Sequence, residues 1–173
     1  MTTGERGGYG VDTGCGVRDY SSPYIHCGCS LPQCRIVTRI TAAHGVQEHA
    51  YITLGGIEQY VQIRGEDRRN PVILCLHGGP GFPLTYMTGH YQAELERDYT
   101  VAVWEQRGCG RTLHRNPNVS NPTIDELLSD VDELVDHLRK RFDRDAIILV
   151  GQSWGRCLRR TIFAGIRGRL RRI

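Results

Sequence analysis

Five residues, Gly151-Gln152-Ser153-Trp154-Gly155, offer the clearest chemistry in this chain. They follow the apolar run Ala146 to Val150, which reads as a strand. G-x-S-x-G after a strand and before a helix is the signature of a nucleophile elbow, a turn that lifts a serine hydroxyl out of a sheet. Gly151 and Gly155 leave out side chains where such a turn crowds its neighbours. The Trp154 N–H, at a helix start, has no intrahelical acceptor and is free to bind an oxyanion. The plainer reading of the same five residues is a glycine-rich turn holding an ordinary serine. A nucleophilic serine also needs a histidine base and a carboxylate. Residues 154–173 contain no Asp, Glu or His. The histidines at 26, 44, 49, 77, 90, 114 and 137 all precede Ser153.

Two further motifs leave predicted strands. His77-Gly78-Gly79-Pro80-Gly81 follows Val72 to Leu76, apolar at every position as a strand buried on both faces requires. Glycines there let backbone N–H groups approach a ligand closely, although a Gly-Pro turn can also serve only to leave a strand. Trp104 to Thr112, WEQRGCGRT, leaves the strand Thr100 to Trp104.

In this order and at these places, the three motifs resemble those of proline iminopeptidase and its close α/β-hydrolase relatives. The resemblance covers roughly residues 50 to 155. It implies an α/β fold of the α/β-hydrolase type, with a mostly parallel sheet, and a serine exopeptidase that releases N-terminal proline without metal or other cofactor. Ser153 would be the nucleophile. The N–H groups of Gly79 and Trp154 would form the oxyanion hole. His77, Gly78, Pro80 and Gly81 would complete the oxyanion loop, and Gly151, Gln152 and Gly155 the elbow. Glu105, Gln106, Arg107, Gly108 and Gly110 would buttress the site. The family places its catalytic Asp and His after the elbow, along with a helical cap. By that order this chain reads as truncated after the elbow and inactive by itself, its substrate a peptide or small ester or amide once completed. Esterase, epoxide hydrolase or lactonase activity is the alternative on the same fold.

The elements that must position these residues are legible from pattern. Ile52 to Leu54, Gly55-Gly56 and Ile57 to Arg64 read as an N-terminal hairpin. Pro83 to Arg97 reads as a helix interrupted at Gly89. Ile124, Leu127, Leu128, Val131, Leu134, Val135 and Leu138 share one stripe of a helix over about 124–142. Thr123 and Glu126 form its capping box, and Arg139, Lys140 and Arg141 suit its negative end. Strands alternating with helices imply a parallel sheet covered on both faces. The strand Ala146 to Val150 is expected at an unpaired edge, an aggregation hazard.

Three segments follow: residues 1–45 as a poorly ordered extension, 46–155 as part of the hydrolase domain, and 156–173 as an arginine-rich tail. The first contains Cys15, His26, Cys27, Cys29 and Cys34. Their spacing lacks the paired knuckles of common zinc sites, so no metal is expected. Seven arginines and no acid occupy the tail, whereas all 19 acids lie at or before Asp145. Such a tail reads first as the end of a frameshifted or prematurely ended gene, whose residues were never selected for packing. Its second reading is a basic amphipathic helix for nucleic acid or acidic membrane. Arg156, Arg159 and Arg160 are expected to fit poorly against a sheet, because a buried unpaired charge is costly. No run of apolar residues is long enough to span a membrane, and no secretory signal pattern opens the chain. A cytoplasmic location with reduced cysteines is the expectation.

Overall fold

Alternating apolar runs and turn residues build one sheet. The computed structural model describes residues 39–88, 92–119, 121–165 and 170–171, without the side chains of 163–165 and 171. Cys15, His26, Cys27, Cys29, Cys34 and His90 lie outside the described residues. In chain order the strands are β1 (Val46–Leu54), β2 (Ile57–Gly65), β3 (Val72–Leu76), β4 (Thr100–Trp104), β5 (Ile147–Gly151) and β6 (Leu170–Arg171). The helices are α1 (Gly110–Arg115), α2 (Ile124–Phe142) and α3 (Trp154–Gly165). Spatial order is β1-β2-β4-β3-β5-β6. β1, β2 and β4 pair antiparallel; β4, β3, β5 and β6 run parallel.

That order places a topological switch at β3. The chain crosses from β3 to β4 on one side, then returns to β5 on the other. The carboxyl ends of β3 and β5, at such a switch, are the usual ligand position in sheets of this kind. Both glycine motifs lie there.

The hairpin begins earlier than its turn residues suggest. β1 starts at Val46 because Gln47 to Glu48 continue the register opposite Arg64 and Ile63. Residues 39–45, expected within the extension, lead directly into it: the Arg68 N–H donates to the His44 carbonyl (2.8 Å). The Pro83 to Arg97 segment is not one helix. Among its described residues Pro83 and Leu84 are outside any helix, Thr88 is helical, and Leu95–Arg97 form a 3-10 turn. Polar side chains anchor it to the sheet instead: Thr88 Oγ1 donates to Gln62 (3.0 Å), and the buried Arg64 holds Glu96 (2.7 Å).

α2 forms as the pattern dictates. Its capping box is reciprocal: the Glu126 N–H donates to Thr123 Oγ1 (3.2 Å) and the Thr123 N–H to Glu126 Oε2 (2.8 Å). Leu127, Val131, Leu134, Val135 and Leu138 pack on Leu74, Leu76, Ala102 and Trp104 in one core with Leu158 and Ile162 of α3. Coverage of the opposite face is uneven. Thr112 of α1 and Glu96 lie over β2, while Cys75 and Val150, paired in register, stay partly exposed and exposed.

Two expectations about the C-terminal segment need correction. β5 is not an unpaired edge, because Ile147 and Ile148 pair with Leu170 and Arg171 of β6. Nor are arginines forced into the core. A 3.6-residue repeat puts Leu158 and Ile162 on the buried face of α3 and turns Arg156, Arg159 and Arg160 to solvent. The boundary expected at Gly155 lies inside this helix.

Candidate active site

Ser153 sits on the turn between β5 and α3 with φ 49°, a left-handed conformation that side chains rarely adopt. The turn is held on both sides. The Gln152 N–H donates to the Leu76 carbonyl (3.0 Å), and the Arg156 N–H to the Ser153 carbonyl (2.9 Å). Gly151 and Gly155 are obligatory here. A Cβ at 151 would stand 2.3 Å from the Gly155 carbonyl oxygen, and one at 155 would stand 2.3 Å from that of Leu76. The hydroxyl-bearing residue itself is exposed.

The loop after β3 closes on it. A Cβ on Gly78 would lie 3.1 Å from Ser153 Cβ and 3.7 Å from its Oγ. Gly79 has φ 118°, and a Cβ there would meet the Gly81 nitrogen at 2.6 Å. The following peptide to Pro80 is cis. Neither the Gly79 nor the Trp154 N–H donates to an acceptor among the described residues. A serine hydroxyl and two unengaged N–H groups are part of what addition to a carbonyl carbon requires; the base is the other part.

His77 is fully buried and belongs to the scaffold. Its Nδ1 donates to the Gly78 carbonyl (2.9 Å), so Nε2 accepts, and the Gln106 N–H fills it at 3.1 Å. The Gln106 side chain returns a bond to the His77 carbonyl (3.2 Å). Burial pushes the imidazole pKa below its ordinary value, against smaller opposing effects of the Gly78 bond and Glu105. Among the described residues, no histidine or carboxylate is hydrogen-bonded to Ser153. Cys109 packs under this pair, its Sγ 3.2 Å from His77 Nε2, with its thiol pushed up to about 12 by burial. Cys75 is likewise raised, to about 11. Both are poor nucleophiles.

The segment after β4 ties the site to the rest of the domain in two ways. Glu105, buried, accepts from Thr85 Oγ1, the Arg111 N–H and the Arg111 guanidinium (2.8 Å). These bonds join the carboxylate to the start of α1. A Cβ on Gly110, at φ 53°, would collide with Glu105 Oε2 at 2.2 Å. Arg107 forms a bidentate pair with Asp130 of α2 (both 2.9 Å) and donates to the Gly55 carbonyl (2.9 Å). The Gln59 side chain joins Asp130 (2.7 Å) to Trp104 Nε1 (3.0 Å). Gly108, at φ 79°, turns the chain between the two clamps.

Sequence reasoning found Glu105, Gln106 and Arg107 but not Thr85 or Asp130, and it placed His77 in the oxyanion loop without its bond to Gln106. One signal was present for Asp130. Asp130 falls between Leu127 and Leu134 on the apolar stripe of α2, where an unpaired charge could not be buried.

Residues 73–166, just over half of the chain, match the alpha/beta hydrolase family. The chain belongs to that family. It is 36% identical over 107 residues to the probable aminopeptidase YbaC of Bacillus subtilis, covering 62% of this chain and 34% of that protein. Identity to the proline iminopeptidase of Lactobacillus delbrueckii subsp. lactis is 32% over 105 residues, 61% of this chain and 35% of the relative. This alpha/beta hydrolase therefore spans about a third of the length of the curated relatives it matches. Among solved structures, a proline iminopeptidase-related protein of Thermus thermophilus superposes with a TM-score of 0.57 at 24% identity, over 71% of this chain and 42% of that one. An epoxide hydrolase of Vigna radiata superposes with a TM-score of 0.56 at 26% identity, over 72% and 36%. Among the described residues no helix is long and apolar enough to cross a membrane, and no group of His, Cys, Asp and Glu could hold a metal ion.

Proposed function

We propose that this chain is the nucleophile-bearing part of a proline iminopeptidase-like serine hydrolase. The observation that carries the reading is Ser153 at positive φ, exposed, with Gly78 against its Cβ. With a base from the downstream part taking the hydroxyl proton, Ser153 Oγ attacks the carbonyl carbon of the N-terminal residue, the N–H groups of Gly79 and Trp154 receive the oxyanion, and its collapse breaks the C–N bond as the base returns the proton to the departing amine. One such donor is worth about 3–4 kcal/mol in the transition state. Release of N-terminal proline is the substrate reading, supported by the proline iminopeptidase at 32% identity; the probable aminopeptidase at 36% supports removal of an N-terminal residue. By itself the polypeptide turns over at background rate. His77 has both ring nitrogens engaged in the scaffold, and loss of the base alone costs about 10⁶ in turnover in a serine protease.

The test is a chimera joining residues 1–165 to the downstream part of a proline iminopeptidase. It keeps α3 intact because Leu158 and Ile162 belong to the core. The chimera cleaves proline p-nitroanilide, Ser153→Ala abolishes that activity, and the unmodified chain stays at background. A folded chimera that hydrolyses simple esters but not proline amides supports an esterase instead. One inert to both, and unlabelled at Ser153 by a fluorophosphonate, overturns the assignment of the nucleophile.

A further inference from the structure

α3 divides its residues by chemistry. Leu158 and Ile162 are 2% and 6% exposed against the sheet, and Trp154 packs partly on the same core. Arg156 and Arg160, four residues apart, lie one turn above the other on the solvent face, with Arg159 exposed beside them. No ion pair among the described residues engages Arg156 or Arg160. The sequence adds Arg167, Arg169, Arg171 and Arg172 and has no acid after Asp145. Several surface arginines elsewhere are paired with acids, Arg69 with Asp67, Arg115 with Glu58 and Arg141 with Glu48.

Two kinds of polyanion could meet a cationic helix, and they ask different things of it. An interfacial helix must sink an apolar face into lipid. In α3 that face is already spent on the domain core. A nucleic-acid backbone asks only for exposed cations at phosphate-like spacing, with no apolar contribution. We propose that the arginine face of α3 is a sequence-independent docking surface for the phosphate backbone of nucleic acid.

The test measures binding of the full chain to a fluorescent duplex DNA of about 20 base pairs by anisotropy, between about 50 and 200 mM salt. Each lost phosphate contact makes the log–log salt slope shallower by about 0.9. Arg156→Gln with Arg160→Gln is therefore expected to flatten the slope by about 1.8, roughly a twelve-fold smaller loss of affinity over that salt range. Replacing both by Lys retains the parental slope. Removing the same two charges elsewhere, by Arg68→Gln with Arg97→Gln, leaves the slope within about 0.5 of the parent. Should the Gln pair unfold, each single replacement is expected to flatten the slope by about 0.9. An unchanged slope in folded α3 variants overturns the proposal, as does an equal change in the Arg68/Arg97 control. So does binding to phosphatidylserine vesicles without binding to the duplex.

Discussion

Removing the Asp130 carboxylate tests the interior that supports the site. Asp130 is fully buried and Arg107 nearly so, with side-chain exposures of 0% and 6%. Asp130→Ala leaves the guanidinium with one remaining strong acceptor, the Gly55 carbonyl, and takes from Gln59 its 2.7 Å partner. Glu126, 3.8 Å away and half exposed, compensates little. Breaking one side of a buried pair costs about 3–5 kcal/mol, against a total for an ordinary domain of about 5–15 kcal/mol. With a urea slope of about 1–3 kcal/mol/M, the midpoint falls by about 1 M or more. Replacing both partners by apolar residues, Arg107→Met with Asp130→Leu, costs much less than the single change, because no charge is left unpaired. Equilibrium urea unfolding followed by circular dichroism reads both. A loss below about 1 kcal/mol for Asp130→Ala would refute the reasoning. So would a double variant as unstable as the sum of its singles, since that would mean the pair is not coupled.

Two further changes probe the turn and its buried imidazole. Ser153→Gly relieves a side chain held at φ 49° and is expected to raise stability by about 1 kcal/mol; a lowered or unchanged melting temperature counts against stored strain at the elbow. The folded-state pKa of His77 lies below its ordinary 6.5. The unfolded chain therefore takes up the proton first as pH falls. Stability from this group is complete above pH 6.5 and declines below it, by at most about 1.4 kcal/mol per pH unit. His49 and His137 are also lowered, chiefly by burial, and add with the same sign. Equal urea midpoints at about pH 7.5 and 5.5, or a His77 ring that titrates normally by NMR, would contradict this.

Sequence alone determined what depends on neighbours along the chain. α2 was legible because its apolar stripe and the Thr123–Glu126 box are both periodic and local. β4 was legible because a strand buried on both faces must be apolar throughout; β3 and β5 carry the same apolar run, although Cys75 and Val150 stay partly exposed and exposed. The elbow was legible because Gly151 and Gly155 answer a crowding of a few residues, although the atoms that crowd Gly155 belong to Leu76. Local pattern misled where a short segment is held by distant groups. The Pro83 to Arg97 region does not form one helix, and its Thr88 and Glu96 side chains are tied to Gln62 and Arg64 of β2. Only the tertiary structure joined Gln106 to His77 and Arg107 to Asp130, pairs 29 and 23 residues apart. A side-chain hydrogen bond leaves no period in the sequence, so its partner emerges only when the sheet order is set. The same holds for α3. Its composition reads as a charge run, yet packing on the sheet decides that Leu158 and Ile162 turn inward and the arginines turn out. A helix can satisfy both a core and a cationic surface when their residues fall on opposite faces of a 3.6-residue turn.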